Sequence, residues 1–162
     1  MAAKLSVEWI NPFIEATEEI LSTVAFITPK RGQLALKKDN SVEYDVSGVI
    51  GITGEAIGSI ALSFPRKVAI KIVSNFTGEE VVGIDADTAD AIGELTNMIA
   101  GRAKKIFSDK GIKLKISVPN VVIGKNHTIS SPKGTPTIII PFESEEGNFA
   151  IQVSLVPNPS EE

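Results

Sequence analysis

Between Asn11 and Phe26 the apolar residues Phe13, Ile14, Ala16, Ile20, Leu21 and Val24 return every three or four positions, which predicts a helix with one buried face. Pro12 stands at its start, where a missing N–H costs nothing, and Asn11 reads as the cap. Beyond Thr28-Pro29 the repeat changes: Gln33 to Lys38 and Tyr44 to Ile52 read as strands. Thr53-Gly54-Glu55 supplies a turn, and Ile60, Leu62 and Phe64 alternate on its far side, so a hairpin is expected. Pro65 ends that strand, and Val68, Ile70, Ile72, Val73 and Phe76 predict a short helix closed by Thr77-Gly78. The longest helical pattern runs from Asp85 to Ser108, with Asp85 and Asp87 at its opening and Arg102, Lys104 and Lys105 toward its end, which suits the helix dipole. Leu114 to Val118 and Val121 to Ile123 predict one strand bent at Pro119. Thr137 to Phe142 and Asn148 to Val156 predict a second hairpin, in which Phe149, Ile151, Val153 and Leu155 share a face. The polar stretch Lys125 to Pro136 reads as a mobile loop, and Pro157 onward as a frayed tail.

This order predicts an α/β (α+β) sandwich made of two α-β-β-α-type halves with a long exposed helix, an imperfect internal duplication. A length of 162 residues accommodates it as a single domain spanning residues 1–162, with a core over residues 8–156. Hydrophobic residues at 43% and charged residues at 22% exclude a disordered or fibrous chain. The net charge of −4 disfavours nucleic acid as a partner. There is no cysteine, which removes disulfides, thiolate nucleophiles and cysteine metal sites, and the single His127 cannot build a histidine metal centre. No secretory leader and no apolar run long enough to span a bilayer is present, so a cytoplasmic protein without a membrane partner is expected.

On a wheel of about 100° per residue, Ile92, Leu95, Ile99, Ala103 and Ile106 of the long helix fall on one side, and Asp90, Glu94, Asn97 and Gly101 fall opposite. A carboxylate and a carboxamide one turn apart on a rigid helix can enter another molecule with little loss of entropy. The amide never ionises and can hold a water in one orientation, whereas the glutamate offers an anion to a lysine. Gly101 leaves the ridge bare, and a glycine costs a helix about 1 kcal/mol relative to alanine, so a docking reason is sought. Spacing by itself does not separate this role from that of an ordinary solvated face.

The segment Asp90-Ala-Ile-Gly-Glu94-Leu-Thr-Asn97-Met-Ile-Ala-Gly101 resembles the signature helix of the CheC/CheX/FliY family of chemotaxis phosphatases: an Asp or Ser, a Glu four residues on, an Asn three further. The similarity extends to Asn11-Pro12-Phe13-Ile14-Glu15-Ala16, to the hairpin from Gly48 to Phe64, and to Val118-Pro119 with Val121 to Gly124, covering most of residues 8–156. The resemblance implies hydrolysis of the aspartyl phosphate of phosphorylated CheY, a response regulator. Asn97 would orient the attacking water, Glu94 would pair with the receiver's lysine, and Asp90, Gly101 and Lys104 would contribute to binding. Magnesium would belong to CheY, and the chain would bring no cofactor of its own. Some family members carry two such helices. Here Glu8 and Asn11 have the right spacing but fall before Pro12, and the deeper stretch Glu15 to Glu19 lacks the asparagine. One active helix in a short chain resembles the CheX-type members, which are homodimers.

The chemistry is coherent without the name. In phosphoryl transfer the metal neutralises the phosphoryl oxygens and catalysis is mostly positioning, so one inserted amide holding a water in line would suffice. Two alternatives remain at this level. A non-catalytic module could bind a receiver or a flagellar switch component through the same face. A metal-dependent hydrolase is disfavoured because Asp90 and Glu94 lack further ligands nearby. Gly48, Gly51, Gly54 and Gly58 imitate a phosphate loop but precede a strand and lack its lysine. His127 reads as a surface residue, and Lys104 and Lys105 either steer an acidic receiver or merely complement the helix dipole.

Overall fold

The computed structural model describes residues 7–36, 44–131 and 134–159. Its elements are α1 (Val7–Val24), β1 (Lys30–Arg31), β2 (Ala35–Leu36), β3 (Tyr44–Gly54), β4 (Ala56–Phe64), α2 (Arg66–Thr77), α3 (Ala86–Asp109), β5 (Leu114–Ile116), β6 (Asn120–His127), β7 (Thr137–Ser144) and β8 (Gly147–Pro157). All strand pairings are antiparallel in one sheet of order β1-β7-β8-β4-β3-β5; β2 also pairs with β7 and β6 with β3. Both expected hairpins form. The mixed α/β class holds, but the halves are not equivalent. The first runs α1, β1, β2, β3, β4, α2, whereas the second opens with α3 and continues through strands alone among the described residues.

Alternation along the strands sorts side chains onto two faces. One face carries Val46, Ile50, Ile52, Leu62, Phe64, Phe149, Ile151, Val153 and Phe142, all buried. Phe149 stacks on Phe142 with centroids 5.2 Å apart and lies 5.2 Å from Phe64, an aromatic row crossing three strands. Helices α2 and α3 pack on the sheet, and α1 packs on α3. The opposite face is made of small and polar residues in register: Ser47 with Ser63, Val49 with Ala61, Gly51 with Ser59, and Gln152 and Ser154 on β8.

That second face is crossed by the segment expected to be a mobile loop. Its first residues, Lys125 to His127, extend β6. The chain then runs over the sheet, tied by His127 to Ser47 (2.7 Å), by Gln152 Nε2 donating to the Ile129 carbonyl (3.0 Å), and by Ser131 to Ser154 (2.7 Å). The buried hydroxyls of Ser47 and Ser63 pair with each other, as do those of Thr137 and Ser154, and the strap completes both sets through His127 and Ser131. Nor is the chain frayed from Pro157: Asn158 donates from its backbone to the Glu55 carbonyl (3.0 Å) and from Nδ2 to the Gly54 carbonyl (2.9 Å).

Three further expectations are corrected. Helix α1 begins at Val7, so Pro12 lies inside it, buried, and Asn11 is an exposed helical residue rather than a cap. Burial of Ile10 and contact of Trp9 with Phe107, centroids 5.6 Å apart, hold this extra turn against the proline's cost. Second, the strand bent at Pro119 is two strands, both on β3, and Ser117 bridges the gap by donating its N–H to the Gly51 carbonyl (2.9 Å) and accepting from the Gly51 N–H at Oγ (2.8 Å). Third, only Ala35–Leu36 of the span from Gln33 forms a strand, and Lys37 and Lys38 lie outside the described residues.

Candidate active site on the long helix

Helix α3 is anchored at both ends of its length. At the N-terminus the Asp85 carboxylate accepts from the Thr88 backbone N–H (2.9 Å) and hydroxyl (3.0 Å), a side-chain cap. The Thr88 N–H, and then its hydroxyl, hold the Asp85 carboxyl below the ordinary aspartate range. Toward the C-terminus Phe107 is buried between Trp9 and Phe13 of α1, the latter edge-on at 5.5 Å. An ion pair from Arg102 Nε to Glu19 Oε2 (2.7 Å) adds a surface tie between the same helices.

The middle of α3 rests on β3. Thr96 is buried, donates Oγ1 to the Ile92 carbonyl (2.7 Å), and sits directly over Gly48. A Cβ at position 48 would lie 2.0 Å from Thr96 Oγ1, so only glycine lets the helix approach this closely. Ile92, Leu95, Ile99, Ala103 and Ile106 are buried, as the wheel predicts. With the sheet on one side and α1 on another, the helix cannot roll. Its remaining stripe faces outward.

On that stripe Asp90, Glu94 and Asn97 are exposed, and Gly101 is half-buried with nothing within 4 Å of the position a Cβ would take. Glu94 and Asn97 are about 4.5 Å apart along the axis at 1.5 Å per residue. Among the described residues no hydrogen bond or ion pair engages the side chains of Asp90, Glu94 or Asn97. An unengaged carboxylate and carboxamide on an immobilised helix are available to a second molecule. Lys104 lies in the same stripe two turns beyond Asn97 and lines an open hollow with Lys113 and Lys115. The sequence pattern alone does not single out those two lysines; their alternation with Leu114 and Ile116 is the available signal.

Glu8 and Asn11 are also both exposed on α1 at the same spacing. His127 is half-buried instead of lying on the surface. Its Nδ1–H donates to the Gly124 carbonyl (2.7 Å), and Nε2 is 2.7 Å from Ser47 Oγ, itself 2.6 Å from Ser63 Oγ. Ser47 is wholly buried, so this Ser-His pair holds the strap and offers no nucleophile to a substrate. Asp45, nearby, accepts from the backbone N–H of Arg66 (2.7 Å) and of Asn126 (3.1 Å), and these two bonds, Arg66 first, lower its pKa. Among the described residues no group of three or more acids, histidines or cysteines is placed to hold a metal. Among the described residues no helix is long and apolar enough to cross a membrane.

Among the described residues, an antiparallel sheet layered with three helices, with an unengaged Glu-x-x-Asn ridge on α3, defines a CheC-like protein. A solved CheC-like superfamily protein from Shewanella sp. PV-4 superposes with a TM-score of 0.89 at 39% identity, over 94% of this chain and 99% of that one. Residues 46–143 match the family model of the chemotaxis phosphatase CheX. The CheY-P phosphatase CheX of Thermotoga maritima is 34% identical over 123 residues, 75% of this chain and 79% of that protein. The CheX of a CheX-CheY-BeF3-Mg2+ complex from Borrelia burgdorferi shares 25% identity with a TM-score of 0.77, over 93% of this chain and 99% of that one. The chain belongs to the CheX family of chemotaxis phosphatases.

Proposed function

We propose that this chain hydrolyses the aspartyl phosphate of a phosphorylated CheY-type receiver, with Asn97 and Glu94 as the groups that enter the receiver's site. Asn97 accepts from and donates to the attacking water and holds it in line with the phosphorus–oxygen bond to the aspartate. Water adds to phosphorus as that bond breaks, leaving an aspartate carboxylate and inorganic phosphate. Glu94 pairs with the receiver's lysine and fixes the docking register, while Asp90 and the bare backbone at Gly101 extend the contact along the helix. Magnesium is the receiver's and neutralises the phosphoryl oxygens, so a chain with one histidine and no cysteine suffices. The relative from Thermotoga maritima named CheY-P phosphatase, and the relative crystallised with CheY, BeF3 and Mg2+, support this substrate. The place of action would be the cytoplasm.

The observation that carries the reading is the exposure of Glu94 and Asn97, one turn apart and unengaged, on a helix held rigid by Gly48 and Phe107. The experiment is phosphate release from labelled, phosphorylated receiver in magnesium. The protein should accelerate the decay, and Asn97→Ala should abolish the acceleration with the fold intact. Glu94→Ala should raise KM more than it lowers kcat. Unchanged decay with the wild-type protein, together with retained receiver binding, would instead indicate a non-catalytic receiver-binding module. The reading extends to a homodimer. Strand β6, paired among the described residues with β3 alone and carrying exposed Val122 and Ile123, offers a sheet edge for it, and sedimentation would give the stoichiometry.

A further inference from the structure

The outward stripe of α3 does not end at Asn97. Past the bare position at Gly101 it reaches Lys104, about 10.5 Å along the axis and rotated by only about 20°. Here β5 lies beside the helix, and Lys113 and Lys115, on either side of its buried Leu114, line the same hollow as Lys104. Lys104, Ser108, Lys113, Lys115, Thr53 and Glu55 line one open hollow of about 760 Å³. All three lysines are exposed, and among the described residues none of their ammonium groups is engaged in an ion pair or hydrogen bond. Glu55 Oε2 accepts the backbone N–H of Lys113, and among the described residues its carboxylate makes no ion pair with an ammonium. Among the described residues three cations thus face one acid, in a protein whose net charge is −4.

A specific interface buries about 800 Å² on each partner, a disc of roughly 16 Å radius, so a receiver seated on Asn97 reaches the hollow at Lys104, about 10.5 Å along the axis. A protein that holds Mg2+ beside a phosphoryl group does so with carboxylates, which makes the surface around its reacting centre acidic. We infer that Lys104, Lys113 and Lys115 form a second docking surface that takes an acidic segment bordering the receiver's phosphorylation pocket, raising the rate of encounter and selecting among receivers. This inference rests on the phosphatase reading for its partner. The lysines touch neither the water nor the phosphoryl group, so they act on binding and leave the chemical step alone.

The test is a triple variant, Lys104→Gln, Lys113→Gln and Lys115→Gln, measured beside a control with the same change in net charge made elsewhere, Lys30→Gln, Lys67→Gln and Lys71→Gln. The hollow variant should raise KM roughly tenfold with kcat unchanged, three exposed pairs at the usual strength, and should flatten the fall of kcat/KM with salt. The control should behave as wild type. Equal kinetics in the hollow variant and wild type, or equal losses in both variants, would overturn the inference. Should wild type show no turnover, the phosphatase reading fails by itself, and the hollow is then tested by calorimetric binding of the BeF3- and Mg2+-loaded receiver, with undiminished affinity in the hollow variant overturning it. Saturable binding of inorganic phosphate to wild type but not to the variant, with KM unaltered, would make the hollow a small-anion site and also overturn it.

Discussion

Replacing Gly48 by alanine probes the contact that sets the height of the active helix above the sheet. The added Cβ would lie 2.0 Å from Thr96 Oγ1, 2.9 Å from its Cβ and 3.3 Å from its Cγ2. A rotation about χ1 moves Oγ1 aside, at the loss of its bond to the Ile92 carbonyl, but Thr96 Cβ is carried by the backbone of a buried helix and cannot rotate away. Reaching an ordinary separation of about 3.4 Å therefore requires α3 or β3 to move by about 0.5 Å. Overpacking of this kind costs about 1–3 kcal/mol, and the lost hydrogen bond about 1 more. The lower chain entropy of alanine opposes this by about 0.5–1 kcal/mol. The net expectation is a loss of about 2–3 kcal/mol, read as a fall of about 1–1.5 M in the urea midpoint for a slope near 2 kcal/mol/M. Thr96→Ala removes Oγ1 and Cγ2, so the Gly48→Ala/Thr96→Ala protein should be more stable than the sum of the single losses by about 1 kcal/mol or more. The retreat of α3 carries Asn97 with it, so the single variant should also lose phosphatase rate per folded molecule. A Gly48→Ala protein within about 0.5 kcal/mol of wild type, or a strictly additive cycle, would refute the reasoning.

Other outcomes follow from the same structure. Ser47→Ala leaves Ser63 Oγ and His127 Nε2 without their shared partner and should cost about 1–2 kcal/mol in urea unfolding, with phosphatase rate per folded molecule unchanged. Asp45 has a folded pKa below the ordinary carboxylate value, so its contribution is present above that value and is lost as pH falls through the folded one. Asp45→Asn should accordingly lower the urea midpoint at neutral pH and flatten its acid limb; parallel limbs would contradict the two backbone bonds to Asp45. Phe26 is 73% exposed at φ 55°, a conformation that costs a non-glycine residue about 1–2 kcal/mol. Phe26→Gly should therefore hold or raise the thermal midpoint even after glycine's extra unfolded-state entropy, and a marked fall would mean that the ring packs.

Local pattern determined most of the elements and the ridge itself. The 3.6-residue repeat from Asp85 to Ser108 specifies which residues of α3 are buried, and by exclusion that Glu94 and Asn97 point out, because a helix cannot bury one face without presenting the other. Gly78 at φ 76° and the alternation in β8 were legible for the same reason: each rests on contacts within a few residues. What lay beyond the sequence depends on groups far apart in the chain. The early start of α1 follows from Trp9 and Ile10 meeting Phe107 and the core, a gain that no local propensity contains. The strap over the sheet is held by His127, Ile129 and Ser131 meeting strands 23 to 80 positions away. The meeting of Lys104 with Lys113 and Lys115 is likewise a product of β5 adding to β3 beside α3. Side-chain spacing along one element can be counted from the sequence, whereas the distance between two elements is set by how closely their surfaces pack, which here depends on a single missing Cβ at Gly48.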